Sequence, residues 1–233
     1  MNIKENVQAV NERIRNLAIS CNKDPNDIIL IGVTKTVSPS YISEAFEAGI
    51  RNFGENRVQE LVDKYDKVDK KAKWHLIGPL QTNKVKYIID KVELIHSLDR
   101  IRLAEEIEKR AAQIDRQISV LVQINISGES TKSGIRPEDT VDFIESMKRY
   151  PHIHIKGLMT IGPLTEDREL IRSCFRQMKN LFDEVKTKKF SHVQMQYLSM
   201  GMTNDFDIAI QEGANMVRIG RAIFGERKMT FKR

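Results

Sequence analysis

A lysine follows a run of branched apolar residues near the N-terminus. The run "IILIGVTK", residues 28–35, leaves no polar face, so we expect a strand buried on both sides that ends at Lys35. Attack on a carbonyl needs the neutral amine, and a lysine with its ordinary pKa is neutral in only about one molecule in 2,500 at pH 7. Burial, or a cation such as Arg218 nearby, would lower the pKa of Lys35 and favour a Schiff-base nucleophile. The residues alone also allow a lysine that reaches solvent where the strand ends.

Two glycine-containing segments in the last part of the chain could bind a phosphate. The segments are "LSMGMTNDF" and "VRIGRAIFG". Ser199 and Thr203 offer hydroxyl groups, and Gly201 and Gly220 would let backbone N–H groups approach an anion closely. Ordinary turns are the alternative interpretation. A reactive lysine opposite a phosphate site is the pairing that pyridoxal phosphate (PLP) requires, because this molecule carries an aldehyde and a phosphate at opposite ends.

Other chemistry is less well supported. The ends of the predicted strands hold no cluster of carboxylates, so a glycosidase-type acid pair is not indicated. His152 and His154 lie near the start of a predicted strand without a third ligand, and we predict no metal site there. Cys21 and Cys174 lie far apart in the sequence, which suggests no disulfide framework and favours a reducing cytoplasm.

The elements that must position these residues alternate regularly along the chain. Eight short apolar runs, each read as a strand, are separated by amphipathic segments read as helices. The strands are predicted at 28–35, 51–56, 73–78, 93–99, 118–127, 152–162, 195–201 and 215–225. The helices between them are predicted at 38–49, 57–68, 81–90, 100–114, 136–150, 166–188 and 205–214.

This order predicts an α/β fold, a single (β/α)8 TIM-type barrel with an extra N-terminal helix over residues 3–20. An open parallel sheet is the alternative, because the run 51–56 is the weakest strand. We expect residues 1–233 to form one domain, since no linker divides the chain.

Charge and hydropathy narrow the functional classes. The net charge is +6, but the 32 acidic residues are interspersed with the 38 basic ones, and the basic clusters "DKKAKW" and "ERKMTFKR" are short. A basic nucleic-acid-binding module is therefore a weak alternative, and we expect no nucleic-acid partner. No apolar stretch reaches the roughly 18 residues of a membrane span, so we also expect no membrane association.

The sequence resembles the PLP homeostasis proteins, the YggS/PROSC family, which look like the barrel domain of alanine racemase. Matching motifs span nearly the whole chain, and they are "VTKT", "NFGENRVQE", "WHLIGPLQTNK", "NISGESTKSGI", "GLMTIGP", "LSMGMTNDF" and "VRIGRAIFG". The resemblance implies that Lys35 forms the Schiff base with PLP and that Arg218 faces the pyridine nitrogen. It places Ser199, Thr203, Gly220 and Arg221 at the phosphate. It places Asn56, His75 and Met159 in the ring pocket. Lys132 matches a motif at the barrel mouth. There it is either a second amine that meets the cofactor in transit or an ordinary solvated lysine.

The resemblance implies a carrier that binds PLP, limits the free aldehyde and hands it on, with PLP-dependent apoenzymes as recipients. We lean against an enzyme, because racemisation needs acid–base groups on both faces of the substrate and the sequence ends soon after the eighth strand. None of the five tyrosines falls at a predicted strand end. A PLP-dependent amino-acid racemase and a Schiff-base aldolase remain alternatives, although Lys156 lies too near the start of a strand for an aldolase. We expect a monomer or weak dimer.

Overall fold

Eight parallel strands pair in sequential order and close into a barrel, because β8 pairs with β1. The computed structural model describes residues 2–129 and 131–225. The strands are β1 Ile29–Val33, β2 Asn52–Glu55, β3 Lys73–Leu76, β4 Val92–Leu98, β5 Ile118–Ile124, β6 Ile153–Thr160, β7 Val193–Ser199 and β8 Met216–Ile219. The predicted TIM-type barrel is confirmed, and the open-sheet alternative is wrong.

Within the described residues, eight α-helices surround or follow the strands. They are α1 Ile3–Ser20, α2 Pro39–Glu47, α3 Val58–Tyr65, α4 Ile101–Gln113, α5 Thr140–Ser146, α6 Arg168–Thr187, α7 Phe206–Gln211 and α8 Arg221–Phe224. Short 3₁₀ helices cover Pro25–Asp27, Thr82–Tyr87, Pro137–Asp139 and Met147–Arg149. The bounds of α2 follow from local sequence, since Ser38 precedes Pro39 at the first helical position and Gly49 adopts a φ of 110° after the last turn.

The N-terminal helix α1 packs outside the barrel, against α2, α7 and α8. Its apolar stripe is buried, and the buried residues are Ile3, Val7, Val10, Ile14 and Ala18. Asn6 donates a hydrogen bond from its amide to the carbonyl of Ile223 in α8, at 2.9 Å. The extra helix is therefore tied to the short helix that follows β8.

The apolar core has two layers, as the alternation of side chains in a strand requires. A small cluster fills the inside of the barrel, and its buried members are Ile31, Leu94, Leu121, Met159 and Met216. A much larger cluster lies between the outer face of the sheet and the helices, with Phe53, Trp74 and Phe175 among its largest buried side chains. Polar side chains on the inner face must therefore lie above or below the small inner cluster.

Three predicted elements differ from the structure. The segment 81–90, predicted as an α-helix, contains the 3₁₀ helix Thr82–Tyr87, in which Val85 is the one buried residue. The segment 136–150 divides into α5 and two 3₁₀ turns. The predicted strand 215–225 ends at Ile219, after which α8 begins.

The basic cluster 226–233 lies outside the described residues. Within residues 2–129 and 131–225, no helix is long and apolar enough to cross a membrane.

Candidate functional site

A cavity of about 380 Å³ opens where the strands end at the carboxyl edge of the barrel. Its volume falls within the roughly 300–1,000 Å³ of small-molecule sites, and this edge is where barrels of this type bind their ligands. The wall brings together Lys35, Asn56, Arg218 and Lys132. Its other residues are Val33, Ile77, Gly78, Pro79, Gln123, Ile124, Asn125, Ser133, Ile161 and Met202.

Lys35 faces the cavity because of the two-residue period of β1. Ile29 and Ile31 belong to the inner cluster, and Val33, two residues further on, lines the cavity. Lys35 lies another two residues beyond, so it stays on the inner side although regular pairing has ended. The predicted inward lysine at the barrel mouth is therefore present.

The turn that carries Lys35 is held from outside the barrel by Glu55, Glu60 and Lys64, a group that we call the Lys35 clamp. The Lys64 ammonium donates to Glu55 at 2.8 Å and to Glu60 at 2.9 Å. It also donates to the backbone carbonyl of Thr34 at 2.9 Å. Glu55 is fully buried and Lys64 nearly so, which makes this a buried ion pair that contacts the backbone next to Lys35.

The clamp holds both neighbours of Lys35. The Thr34 hydroxyl donates to Glu55 at 2.6 Å, and the Thr36 N–H donates to Glu60 at 2.7 Å. Thr36 has a φ of 64°, in the left-handed region that a β-branched residue rarely adopts. The bond to Glu60 helps to hold this unfavourable conformation next to Lys35.

The pKa values of the two carboxylates of the clamp, Glu55 and Glu60, are shifted in opposite directions. Burial raises the pKa of Glu55, and the bonds from Lys64 and Thr34 oppose this change without cancelling it. Partial burial acts in the same direction on Glu60, but the Thr36 N–H and the Lys64 ammonium outweigh it and lower the pKa of Glu60. Glu60 is therefore the more firmly ionised of the two.

Arg218 places a buried cation on the inner face of β8. Its side chain donates to the Ser199 hydroxyl at 2.7 Å and to the Thr160 carbonyl at 2.7 Å. Burial lowers the pKa of Arg218 to about 10, so the guanidinium stays charged at neutral pH. Because a guanidinium only donates hydrogen bonds, Arg218 presents a fixed positive donor to the cavity.

Two histidines continue the polar contacts below Arg218. His96 Nδ1 lies 3.2 Å from Ser199 Oγ, and His96 Nε2 lies 3.1 Å from His75 Nδ1. His75 Nε2 is 3.2 Å from the Asn52 amide oxygen. Burial lowers the pKa of His75 to about 3 and holds the pKa of His96 well below its usual value. Both imidazoles are neutral at physiological pH.

The two glycine-containing segments form turns beside the cavity. Gly201 has a φ of 89°, and a Cβ there would lie 2.5 Å from the Ala209 Cβ, so this position requires glycine. Met202, the next residue, lines the cavity, and Thr203 follows in a turn before α7. Gly220 precedes the first turn of α8, and the first N–H groups of a helix have no acceptor within it. These backbone groups could receive an anion.

The predicted site residues occupy three positions relative to the cavity. Lys35, Arg218 and Asn56 line it, as does Lys132, whose ammonium contacts Glu129, Ser127 and the Gly162 carbonyl. Thr203, Gly220 and Arg221 belong to the turns after β7 and β8. Of the predicted residues within the described chain, Ser199, His75 and Met159 are buried inside the barrel, and the cavity wall does not include them.

His96 and the Lys35 clamp were not anticipated. A signal for His96 exists in "ELIHSLD", where His96 lies two residues after Leu94 and therefore on the same inner face, among apolar neighbours. The clamp leaves no such signal, because its members come from β2 and α3 and contact a loop after β1.

The histidines at the opposite end of the barrel have a structural role. His152 bonds to the Glu108 carboxylate through its ring, at 2.7 Å, and through its backbone N–H, at 2.9 Å. His154 lies exposed in β6. Within the described part of the chain, no group of three or more His, Cys, Asp or Glu residues could hold a metal ion.

The closed parallel barrel, with a lysine after β1 and a buried arginine on β8, is of the alanine-racemase type. Residues 3–228 match the family described as alanine racemase, N-terminal domain. The chain belongs to this family and, within it, to the pyridoxal phosphate homeostasis proteins.

Individual relatives cover almost the whole chain. A pyridoxal phosphate homeostasis protein from Aquifex aeolicus is 45% identical over 229 residues, which are 98% of this chain and 100% of the relative. Another from Escherichia coli K12 is 39% identical over 99% of both chains. The structure of PipY from Synechococcus elongatus, described with PLP bound, is similar with a TM-score of 0.79 at 31% identity, over 91% of this chain and 100% of PipY.

Proposed function

We propose that this chain binds pyridoxal 5'-phosphate at Lys35 and serves in the homeostasis of this molecule. The observation that carries the proposal is that Lys35 and Arg218 line the same cavity of about 380 Å³ at the barrel mouth. The names of relatives at 45% and 39% identity support the same function, as does the PLP described in PipY. When bound, PLP supplies an aldehyde that is electrophilic towards an amine.

Different residues of this chain recognise the aldehyde, the pyridine ring and the phosphate of PLP. Lys35 provides the amine for a Schiff base with the aldehyde. Arg218 faces the pyridine nitrogen, which it can bind as a hydrogen-bond donor but cannot protonate at neutral pH. Thr203 and the N–H groups of Gly220 and Arg221 receive the phosphate. Asn56 contributes to the ring pocket from the cavity wall, with His75 and Met159 beneath it in the barrel.

We favour a carrier over an enzyme. Because Arg218 cannot protonate the pyridine nitrogen, the ring would withdraw electrons less strongly than a protonated ring. It would therefore stabilise a carbanion next to a bound amine less well. The second amine on the wall, Lys132, is held by the Glu129 carboxylate and the Gly162 carbonyl. Among the described residues of the cavity wall there is no tyrosine that could act as a second acid–base group.

The attachment point can be tested by chemical trapping. Purified protein is mixed with PLP, reduced with borohydride and digested, and mass spectrometry locates the modified lysine. We expect the adduct on Lys35 and its loss in Lys35→Ala, with the circular dichroism spectrum unchanged because this side chain lies beyond β1 and does not fill the core.

Lys132→Ala is the matched control, because it removes the other lysine of the same cavity. It should retain the adduct on Lys35. An adduct that persists in Lys35→Ala would show that PLP attaches to another lysine. Turnover of amino acids at ordinary enzyme rates, about 1–1,000 per second, would show that the protein is an enzyme and would contradict the proposed carrier function.

The cellular setting is part of the same proposal. Cys21 and Cys174 are both free thiols, which fits a reducing cytoplasm. The partners that we propose are PLP-dependent apoenzymes, which would take the molecule from the open barrel mouth, and the protein would act as a monomer or weak dimer.

A further inference from the structure

Five polar groups form a continuous line from the cavity into the barrel, and we call this line the interior chain. Its members are Arg218, Ser199, His96, His75 and Asn52. Successive polar atoms are 2.7, 3.2, 3.1 and 3.2 Å apart. Ser199 and His96 are fully buried and His75 is 3% exposed. The line crosses the barrel from β8 through β7, β4 and β3 to β2.

The Asn52 end of the interior chain sets the direction of its hydrogen bonds, because Arg218 donates to Ser199 whichever way the imidazoles are oriented. Arg218 can only donate, and the Asn52 amide oxygen can only accept. A neutral imidazole donates once and accepts once. Starting from Asn52, His75 must donate from Nε2, so its Nδ1 accepts from His96 Nε2–H. His96 Nδ1 is then an acceptor, and the Ser199 hydroxyl donates to it.

This direction leaves Ser199 without a proton for a ligand. The Ser199 hydroxyl has one hydrogen, which points to His96, and one of its lone pairs accepts from Arg218. The Thr160 carbonyl accepts a second N–H of the same guanidinium, at 2.7 Å. Two of the five N–H donors of Arg218 are therefore anchored inside the barrel, which sets the direction of the others towards the cavity.

We propose that Ser199 and His96 are positioning residues for Arg218 and that Ser199 is not a phosphate ligand. This inference rests on the proposed function, in which Arg218 faces the pyridine nitrogen of PLP. It reassigns Ser199 from the phosphate, where the family resemblance places it, to the support of Arg218 from inside the barrel. The phosphate is left to Thr203 and to the backbone of the turn at Gly220. The low pKa of both histidines supports the neutral state that the interior chain requires.

The direction of the interior chain can be measured without PLP. Two-bond ¹H–¹⁵N NMR spectra of the labelled protein distinguish the two neutral tautomers of histidine. We expect His75 and His96 both in the Nε2–H form. An Nδ1–H form of either residue would reverse the chain, free the Ser199 proton and overturn the inference, whether or not the protein binds PLP.

The role of Ser199 is tested by comparing PLP with pyridoxal, which lacks the phosphate. Ser199→Ala removes one of the two acceptors that hold the charged Arg218 inside the barrel, so we expect roughly tenfold or greater weakening for both ligands by the same factor. Thr203→Val is the comparison variant and should weaken PLP much more than pyridoxal. A loss in Ser199→Ala that is confined to PLP would make Ser199 a phosphate ligand and contradict the inference.

A pair of His96 variants repeats the comparison through the next member of the interior chain. His96→Leu removes the acceptor of the Ser199 proton and should weaken both ligands equally. His96→Asn keeps an oxygen near the position of Nδ1 and should retain most of the affinity. Equal affinities of the two variants would assign His96 a packing role only. If the wild-type protein binds neither ligand, the proposed function fails, and the tautomers still decide the direction of the interior chain.

Discussion

At the scale of single residues, the backbone around Lys35 is controlled by charges that lie outside the cavity. Thr36 in the left-handed region costs on the order of 1–3 kcal/mol, and such a conformation persists only when the surroundings enforce it. The Lys35 clamp supplies this enforcement through Glu60 on one side of Lys35 and Glu55 on the other. The residues on both sides of Lys35 are thus held by groups that do not line the cavity.

Lys64→Met should destabilise the protein strongly. The substitution keeps the length of the side chain but leaves the buried Glu55 carboxylate without its cation, and breaking a buried pair in this way costs about 3–5 kcal/mol. The free energy of unfolding, measured with urea, should fall by that amount. Glu55→Gln combined with Lys64→Met should recover part of the loss, because it removes the unpaired charge.

The control for this substitution is Lys91→Met. Lys91 pairs with Asp90 at 2.7 Å, but Asp90 is more than half exposed, and such pairs contribute only about 0–1 kcal/mol. Similar losses for the two variants would show that the clamp is no more important than a surface ion pair.

At the scale of elements, the strands were predictable because parallel strands covered by helices are apolar on both faces. Even β2, the weakest run, has the predicted position. The 3₁₀ helix Thr82–Tyr87 was mistaken for an α-helix, since one buried residue, Val85, cannot define a helical stripe. The start of α8 was missed because the apolar run through Gly220 suits a strand and a helix equally.

Residues of the candidate site could be predicted only where their position along a single strand places them at the carboxyl edge of the barrel. Lys35 and Arg218 follow from their places at the ends of β1 and β8. His96 and Ser199 are 103 residues apart, and Lys64 is 30 residues from the Thr34 carbonyl that it contacts. Such contacts depend on the register of the closed barrel, which spacing in the sequence does not encode.

Helix α1 should contribute substantially to stability although it lies outside the barrel. Ile14 is 4% exposed, and Ile14→Ala should lower the free energy of unfolding by about 2–5 kcal/mol through lost burial and the cavity left behind. Arg15→Ala, on the exposed face of the same helix, should change it by no more than about 0.5 kcal/mol. Urea unfolding of the two variants measures the difference, and equal effects would mean that α1 is not packed as described.

At the scale of the whole molecule, closure of the barrel places ionisable groups where water does not reach. The interior chain is drawn from five strands and lies next to an apolar inner cluster, so its imidazoles carry no charge. An open sheet would leave this surface to be covered by other elements. The fold therefore determines the protonation state of groups that belong to the proposed site.

The neutral histidines predict a specific dependence of stability on pH. The pKa of His75 is about 3 in the folded protein and about 6.5 in the unfolded chain, so the unfolded chain binds more protons between these values. Stability is then complete above about pH 6.5 and falls below it, by up to about 1.4 kcal/mol per pH unit for His75. His96 acts in the same direction.

The window between about pH 6.5 and pH 5 separates this effect from the titration of ordinary carboxylates, which takes place mainly at lower pH. Urea unfolding of the protein without PLP should show the decline there, and His96→Asn should make it shallower because one buried imidazole no longer titrates on unfolding. A slope that His96→Asn does not alter would mean that His96 is protonated as readily in the folded barrel as in the unfolded chain, and the barrel interior would then not hold neutral imidazoles.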